Sequence, residues 1–155
     1  RCCFFSDIRA DGMIDSSNTY LLGDGEVKVK YNEDGMDIAV AQARASFDAF
    51  LTKAKYPGES DSDFSVKVAI EDGQHSTYLL NDLKVDQEPF EGTIGNEPYF
   101  ITKVKFGDRY RFTREDISDW TYVSDGVVQG SYTVRFSMKA MSKAESDALA
   151  KQFGW

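Results

Sequence analysis

Carboxylates come closest to a chemical constellation in this chain. Glu97, Asp116 and Asp119 fall near predicted strand ends within Phe90–Thr133, where two of them could converge. Two carboxylates with separated pKa values can run acid–base chemistry, and Glu97 with Asp119 is the pair such an enzyme would use. Each also has a plainer reading. An aspartate ahead of tryptophan caps turns, and proline after Glu97 holds that residue extended, so Asn96-Glu97-Pro98 reads as a corner between strands. Trp120 reads as a packing anchor. The Tyr132 hydroxyl is placed to reach a buried carbonyl and tie Ser118-Asp119-Trp120 to the last strand. Asn96, Glu97, Asp119, Trp120 and Tyr132 therefore form the candidate binding set, and no residue is assigned as catalytic.

Other chemistries find less material. His75, the single histidine, sits in a polar stretch read as an exposed turn, and no Gly-x-Ser-x-Gly elbow presents a serine. Cys2 and Cys3 are the only cysteines; as sequence neighbours they suit neither a stapling bridge nor, with one histidine, a zinc site. The acidic stretch Glu59–Asp63 lacks the glycine and distal glutamate of a calcium loop, and reads as solvated loop. No cofactor or metal is expected.

Lys103, Lys105, Arg109, Arg111 and Arg114 make a local basic face. A sheet carrying basic and aromatic residues can hold single-stranded nucleic acid. If the alternation holds, Tyr110 lies on the opposite face from the arginines, which separates stacking from phosphate contact. The plainer reading is a solvated face pairing with acidic loops.

The elements that must position these residues follow from size and pattern. The chain has 155 residues, 41% hydrophobic and 14% aromatic, which is material for one domain with a full core. A net charge of −8 disfavours double-stranded DNA and anionic membranes, and suits a basic protein partner or simple solubility. No apolar run approaches the roughly 20 residues of a membrane span. The chain starts at Arg1 rather than Met, so a segment upstream was cleaved, cut or left out; the expected compartment is the cytoplasm, or the periplasm if that segment was a leader.

Glu26–Tyr31 alternates as a short strand, and Asn32–Gly35 reads as a turn. From Asp37, placed to cap, Val40, Ala43, Phe47, Phe50, Leu51 and Ala54 give one helical stripe, stopped at Tyr56-Pro57-Gly58. Strands follow over Phe64–Ile70, Ser76–Leu80 and Phe90–Ile94. Lys103–Phe106 and Arg109–Phe112 predict a hairpin turned at Gly107-Asp108. Glu115–Trp120 predicts a short helical turn and Val127–Met138 a long strand, with Gly130 at a bulge or close backbone approach. Ser142 and Glu145 form a capping box that opens a last helix.

Several of these segments together resemble the bacterial YegJ-like family, domain of unknown function 2314. The similarity runs over about Asp37–Ala150. It is carried by Ala43-Arg44-Ala45-Ser46-Phe47, Phe64–Val68, Phe90–Pro98 with Gly107-Asp108, Ile117–Trp120, Gly130–Thr133, and Met141-Ser142 with Glu145. The resemblance implies a bacterial origin and a compact α+β fold, without an activity or cofactor to transfer. Where the family frequently has Gly-Gly-Tyr-Thr, this chain has Ser131 second, which predicts a looser backbone approach there.

The resulting expectation is an α+β fold. A strongly curved antiparallel sheet, in part barrel-like, carries an N-terminal helix packed on it and a short C-terminal helix. Residues 1–36 form an extension with one short strand, and 37–155 form the domain. A non-enzymatic protein-binding module of regulatory or toxin-neutralising type is the leading function. A Glu97/Asp119 enzyme and a weak single-strand binder using Lys103–Arg114 are the alternatives.

Overall fold

The structure, a computed structural model, describes residues 6–8, 17–22, 25–30, 33–71, 75–96 and 104–155. Strands β1 (Ser6–Ile8), β2 (Ser17–Leu22) and β3 (Gly25–Lys30) form a small antiparallel sheet in the order β1-β2-β3. The strand predicted at Glu26–Tyr31 falls on β3.

The domain is built on a six-stranded antiparallel sheet. Its strands are β4 (Asp61–Glu71), β5 (His75–Lys84), β6 (Phe90–Ile94), β7 (Arg109–Phe112), β8 (Ile117–Ser124) and β9 (Val127–Gly130), in the order β7-β6-β5-β4-β8-β9. The sheet stays open, so the α+β architecture holds without barrel closure. Helices α1 (Glu33–Ala45) and α2 (Phe47–Lys55) pack on one face, where Ala43, Phe47, Phe50 and Leu51 meet Val66, Val68, Ile70, Leu80, Ile94, Phe112, Ile117 and Trp120. Burying a side chain of this size contributes about 1.5–3 kcal/mol, so this face carries most of the hydrophobic stabilisation. A second cluster joins α3 (Tyr132–Met138) to α4 (Lys143–Phe153) through Val134, Leu149 and Phe153.

The chain leaves β7 at one edge and crosses to β8, which pairs with β4 in the middle. The crossing runs through a 3₁₀ turn, Arg114–Asp116, that Thr113 and Asp116 close as a capping box. Arg44 of α1 pins it, donating from Nε to Ile117 O at 2.9 Å and from Nη2 to Glu115 O at 2.7 Å.

Several local expectations change. The helix begins at Glu33, so Glu33–Gly35 is helical rather than a turn, and Asp37 lies inside the helix rather than at its cap; Asn32 lies outside the described residues. The predicted single helix breaks at Ser46, where the Trp120 indole N–H donates to Ala43 O (3.0 Å) and Ser46 Oγ (3.2 Å). A side chain inserted into the carbonyl ladder is a standard cause of such breaks. Asp61–Asp63 belongs to β4, not to a loop, and Asp63 takes a positive φ where the register shifts. His75 opens β5 opposite Glu71 instead of lying in a turn.

Glu115–Trp120 is too polar by pattern for a core strand, yet Ile117–Ser124 is β8, because its polar members find partners described below. The long strand expected over Val127–Met138 stops at Gly130 and becomes α3. Gly130 and Ser131 are both left-handed (φ 75 and 54), a joint that no strand continues through. The hairpin expected between Lys103–Phe106 and Arg109–Phe112 does not form: β7 pairs with β6, and Lys105–Asp108 is a turn closed by Asp108 N–H to Lys105 O at 3.0 Å. The capping box at Ser142 and Glu145 is present.

Candidate functional site

Strand pairing places Lys67 of β4 directly opposite Asp119 of β8, and Leu79 of β5 on the other side of Lys67. Alternation puts this row on the face away from Val66, Val68 and Trp120, so a lysine and an aspartate stand side by side behind the aromatic core. Asp119 is only 4% exposed. Four hydrogen bonds offset part of the cost of that burial. Oδ1 accepts from the N–H groups of Trp120 (2.9 Å) and Tyr132 (3.1 Å), and Oδ2 from the N–H (2.9 Å) and hydroxyl (2.6 Å) of Thr133. The carboxylate thus holds the first turn of α3 against β8.

Around it, Lys67 Nζ lies 3.4 Å from Thr133 Oγ1, and the Ser131 hydroxyl donates to Thr121 Oγ1 at 3.0 Å. Burial lowers the Lys67 pKa, with the Asp119 charge opposing. Burial likewise raises Asp119, offset in part by the Thr133 hydroxyl, the Lys67 charge and the N–H groups of Thr133 and Trp120. Lys67, Leu79, Asp119, Trp120, Thr121 and Ser131 line a niche of about 10 Å³. That is room for about one water molecule, not for a substrate.

Three of the five candidate residues converge. Trp120 and Tyr132 pack edge to face at 5.7 Å, and Tyr132 reaches Asp119 through its backbone. The tie between Ser118-Asp119-Trp120 and the segment after β9 is therefore made by the Asp119 carboxylate, where the sequence pointed to the Tyr132 hydroxyl. Asn96 stands apart, at the end of β6. Its Oδ1 accepts the Leu79 N–H at 2.8 Å, while its Nδ2 is buried with no hydrogen-bond partner among the described residues. Glu97 and Lys103 lie outside the described residues.

The basic face divides by partner. Arg109 is locked: Nε donates to Glu91 (2.7 Å), and Nη1 to Asp82 O (2.8 Å), Asp82 Oδ2 (3.2 Å) and Thr93 (2.8 Å). Arg114 pairs with Asp48 at 2.6 Å and reaches Glu88 at 4.0 Å. Arg111 stays loose, 3.8 Å from Glu91. Tyr110 is half-buried while Arg109 and Arg111 are exposed, as the alternation predicts.

The family model described as "Uncharacterized protein conserved in bacteria (DUF2314)" matches residues 33–155. This chain belongs to that bacterial family. It is 32% identical to "Uncharacterized protein YegJ" of Escherichia coli over 121 residues, 77% of each chain. It is 27% identical over 135 residues to a "Putative ankyrin repeat protein" of Neisseria meningitidis serogroup B, covering 81% of this chain and 53% of that one. No solved structure matches it.

Within this DUF2314 domain, Lys67, Thr121, Ser131, Thr133 and Arg44 are the site residues that sequence reasoning missed. Lys67 alternates with Val66 and Val68, a pattern that reads as a solvent face; only the Asp119 pairing reveals otherwise. Among the described residues, no group of three or more His, Cys, Asp or Glu could hold a metal ion. No described helix is long and apolar enough to cross a membrane.

Proposed function

We propose that this domain is a non-enzymatic protein-binding module of regulatory or toxin-neutralising type. The observation that carries the reading is the state of Asp119. Four donors occupy its oxygens, and the niche beside it holds about one water, so the family motif is a keystone of architecture. A rigid scaffold of this kind acts through its surface. The Neisseria relative, whose name refers to ankyrin repeats, is compatible with such a role. The net charge of −8 favours a partner that is basic overall. Residues 1–36 are proposed as an extension ahead of the domain, with the family match and α1 both beginning at residue 33, inside that boundary.

The competing enzyme with Glu97 and Asp119 as acid and base draws no support from Asp119, whose oxygens are committed. Binding of single-stranded nucleic acid draws little from Arg109 and Arg114, which are held by carboxylates. Affinity capture from a bacterial host, followed by native mass spectrometry, tests the module reading. A defined stoichiometric complex supports it; recovery of the free monomer alone at physiological salt overturns it.

A further inference from the structure

The sheet ends in two edge strands that are finished differently. On β9 the register with β8 turns the backbone of Val128 and Gly130 outward, and both carbonyls are taken. The Trp155 indole N–H donates to Val128 O at 2.8 Å, Arg135 Nη2 to the same oxygen at 3.3 Å, and Arg135 Nε to Gly130 O at 3.0 Å. The Arg135 guanidinium lies 3.7 Å above the Trp155 ring. This edge is strapped shut, one of the ways proteins keep strands from pairing with strangers.

At β7 no strap is present among the described residues. The bond from Ile94 N–H to Asp108 O (2.8 Å) sets the ladder phase, so Tyr110 and Phe112 bond to β6 while the N–H and C=O groups of Arg109 and Arg111 face outward. One step on, the outward N–H of Thr113 is capped by Asp116 Oδ2 at 2.7 Å. Nothing among the described residues does the same for Arg109 and Arg111.

The side chains along this edge select the occupant. Arg111 is 77% exposed and 3.8 Å from a Glu91 whose other oxygen holds Arg109 at 2.7 Å. Lys105 has no carboxylate within ion-pair distance among the described residues, and Phe106 is 58% exposed at the head of the strand. A second copy of β7 would bring arginine against arginine, which is destabilising.

We propose that β7 is the docking edge for an extended segment of a partner protein, which adds as a seventh strand and sets one carboxylate against Arg111. Main-chain bonds to Arg109 and Arg111 hold the strand, and a charge-assisted bond to the Arg111 guanidinium fixes its register. The net charge of −8 on the chain as a whole disfavours further carboxylates, so the segment is otherwise neutral or basic. This inference rests on the protein-binding reading and gives it a surface.

The test is an NMR titration of the ¹⁵N-labelled protein with a short peptide of alternating valine and threonine, one central glutamate and a lysine at each end. The expected result is perturbation centred on the Arg109 and Arg111 amides, with about tenfold weaker binding when glutamine replaces the glutamate. Arg111→Glu should lose the glutamate peptide and gain one carrying lysine at that position. The proposal is overturned if millimolar peptide leaves these amides unmoved, or if Arg111→Glu binds both peptides alike. A captured host partner held equally by wild type and Arg111→Glu would sink the edge while leaving the module standing. A protein that binds neither peptide nor partner would sink both.

Discussion

Asp119 and Thr133, 14 residues apart, share two hydrogen bonds on one carboxylate oxygen: the Thr133 N–H at 2.9 Å and its hydroxyl at 2.6 Å both end on Oδ2. Asp119→Ala removes these and the two bonds on Oδ1, and leaves the N–H groups of Trp120, Tyr132 and Thr133 and the Thr133 hydroxyl without their acceptor. Leaving buried donors unsatisfied costs about 1–3 kcal/mol each, so the variant should unfold at clearly lower urea with no gain of any activity. A cost under about 1 kcal/mol would mean that the site tolerates an open carboxylate and would revive a chemical role for it.

The same pair makes a titration prediction. Burial holds the Asp119 pKa above that of a free aspartate, and the Thr133 hydroxyl bond opposes this. A raised folded-state pKa contributes stability that is complete below the unfolded carboxylate value of about 3.9 and is lost as pH rises through the folded pKa. Thr133→Val should raise the Asp119 pKa further and move that loss to higher pH. Carbon-detected carboxyl titration reads it directly; an unchanged or lowered midpoint in the variant contradicts the assignment.

Glu91 should behave in the opposite sense. The Arg109 hydrogen bond holds its pKa below the ordinary glutamate range. A depressed pKa contributes stability present above the unfolded value and lost as pH falls through the folded one. Arg109→Gln should return Glu91 toward the free value and free Arg111 from its competitor. Titration of Glu91 in the two proteins checks it.

Gly130 and Ser131 call for different substitutions. A Cβ on Gly130 would collide with the carbonyl and ring of Trp120, and φ is 75, so Gly130→Ala should cost about 3 kcal/mol or more. Ser131 is also left-handed but keeps a hydroxyl bond to Thr121. Ser131→Ala keeps the strain and loses the bond. Ser131→Gly loses the bond but relieves the strain, and should be more stable than the alanine variant by about 1 kcal/mol. Equal denaturation midpoints for the two would show that the left-handed joint carries no cost.

What the residue pattern made legible was the core. Val66, Val68, Ile70, Phe47 and Phe50 announce themselves by period, and the capping box at Ser142 by type. The site was legible only by half. Asp119, Trp120 and Tyr132 stand out as unusual residues, whereas Lys67 and Thr133 look like ordinary surface positions. Their burial depends on β8 returning beside β4, a pairing with no local signal. Gly130 marked a close approach correctly, but the following Ser131 concealed the turn from strand to helix, because serine seldom occupies that conformation. The break at Ser46 was invisible for the same reason: its cause, the Trp120 indole, arrives from a distant part of the chain.

The crossing that carries the chain from β7 to β8 has a further consequence, for synthesis. The Ser118 hydroxyl donates to Lys67 O across 51 residues of sequence. On the ribosome, one side of β4 therefore waits unpaired through the making of β5, β6 and β7, with Val66 and Val68 lacking the Trp120 cover. Nascent chains halted just after Phe112 should accordingly be held by chaperones and cut readily by protease, and those that extend past Ser124 should not.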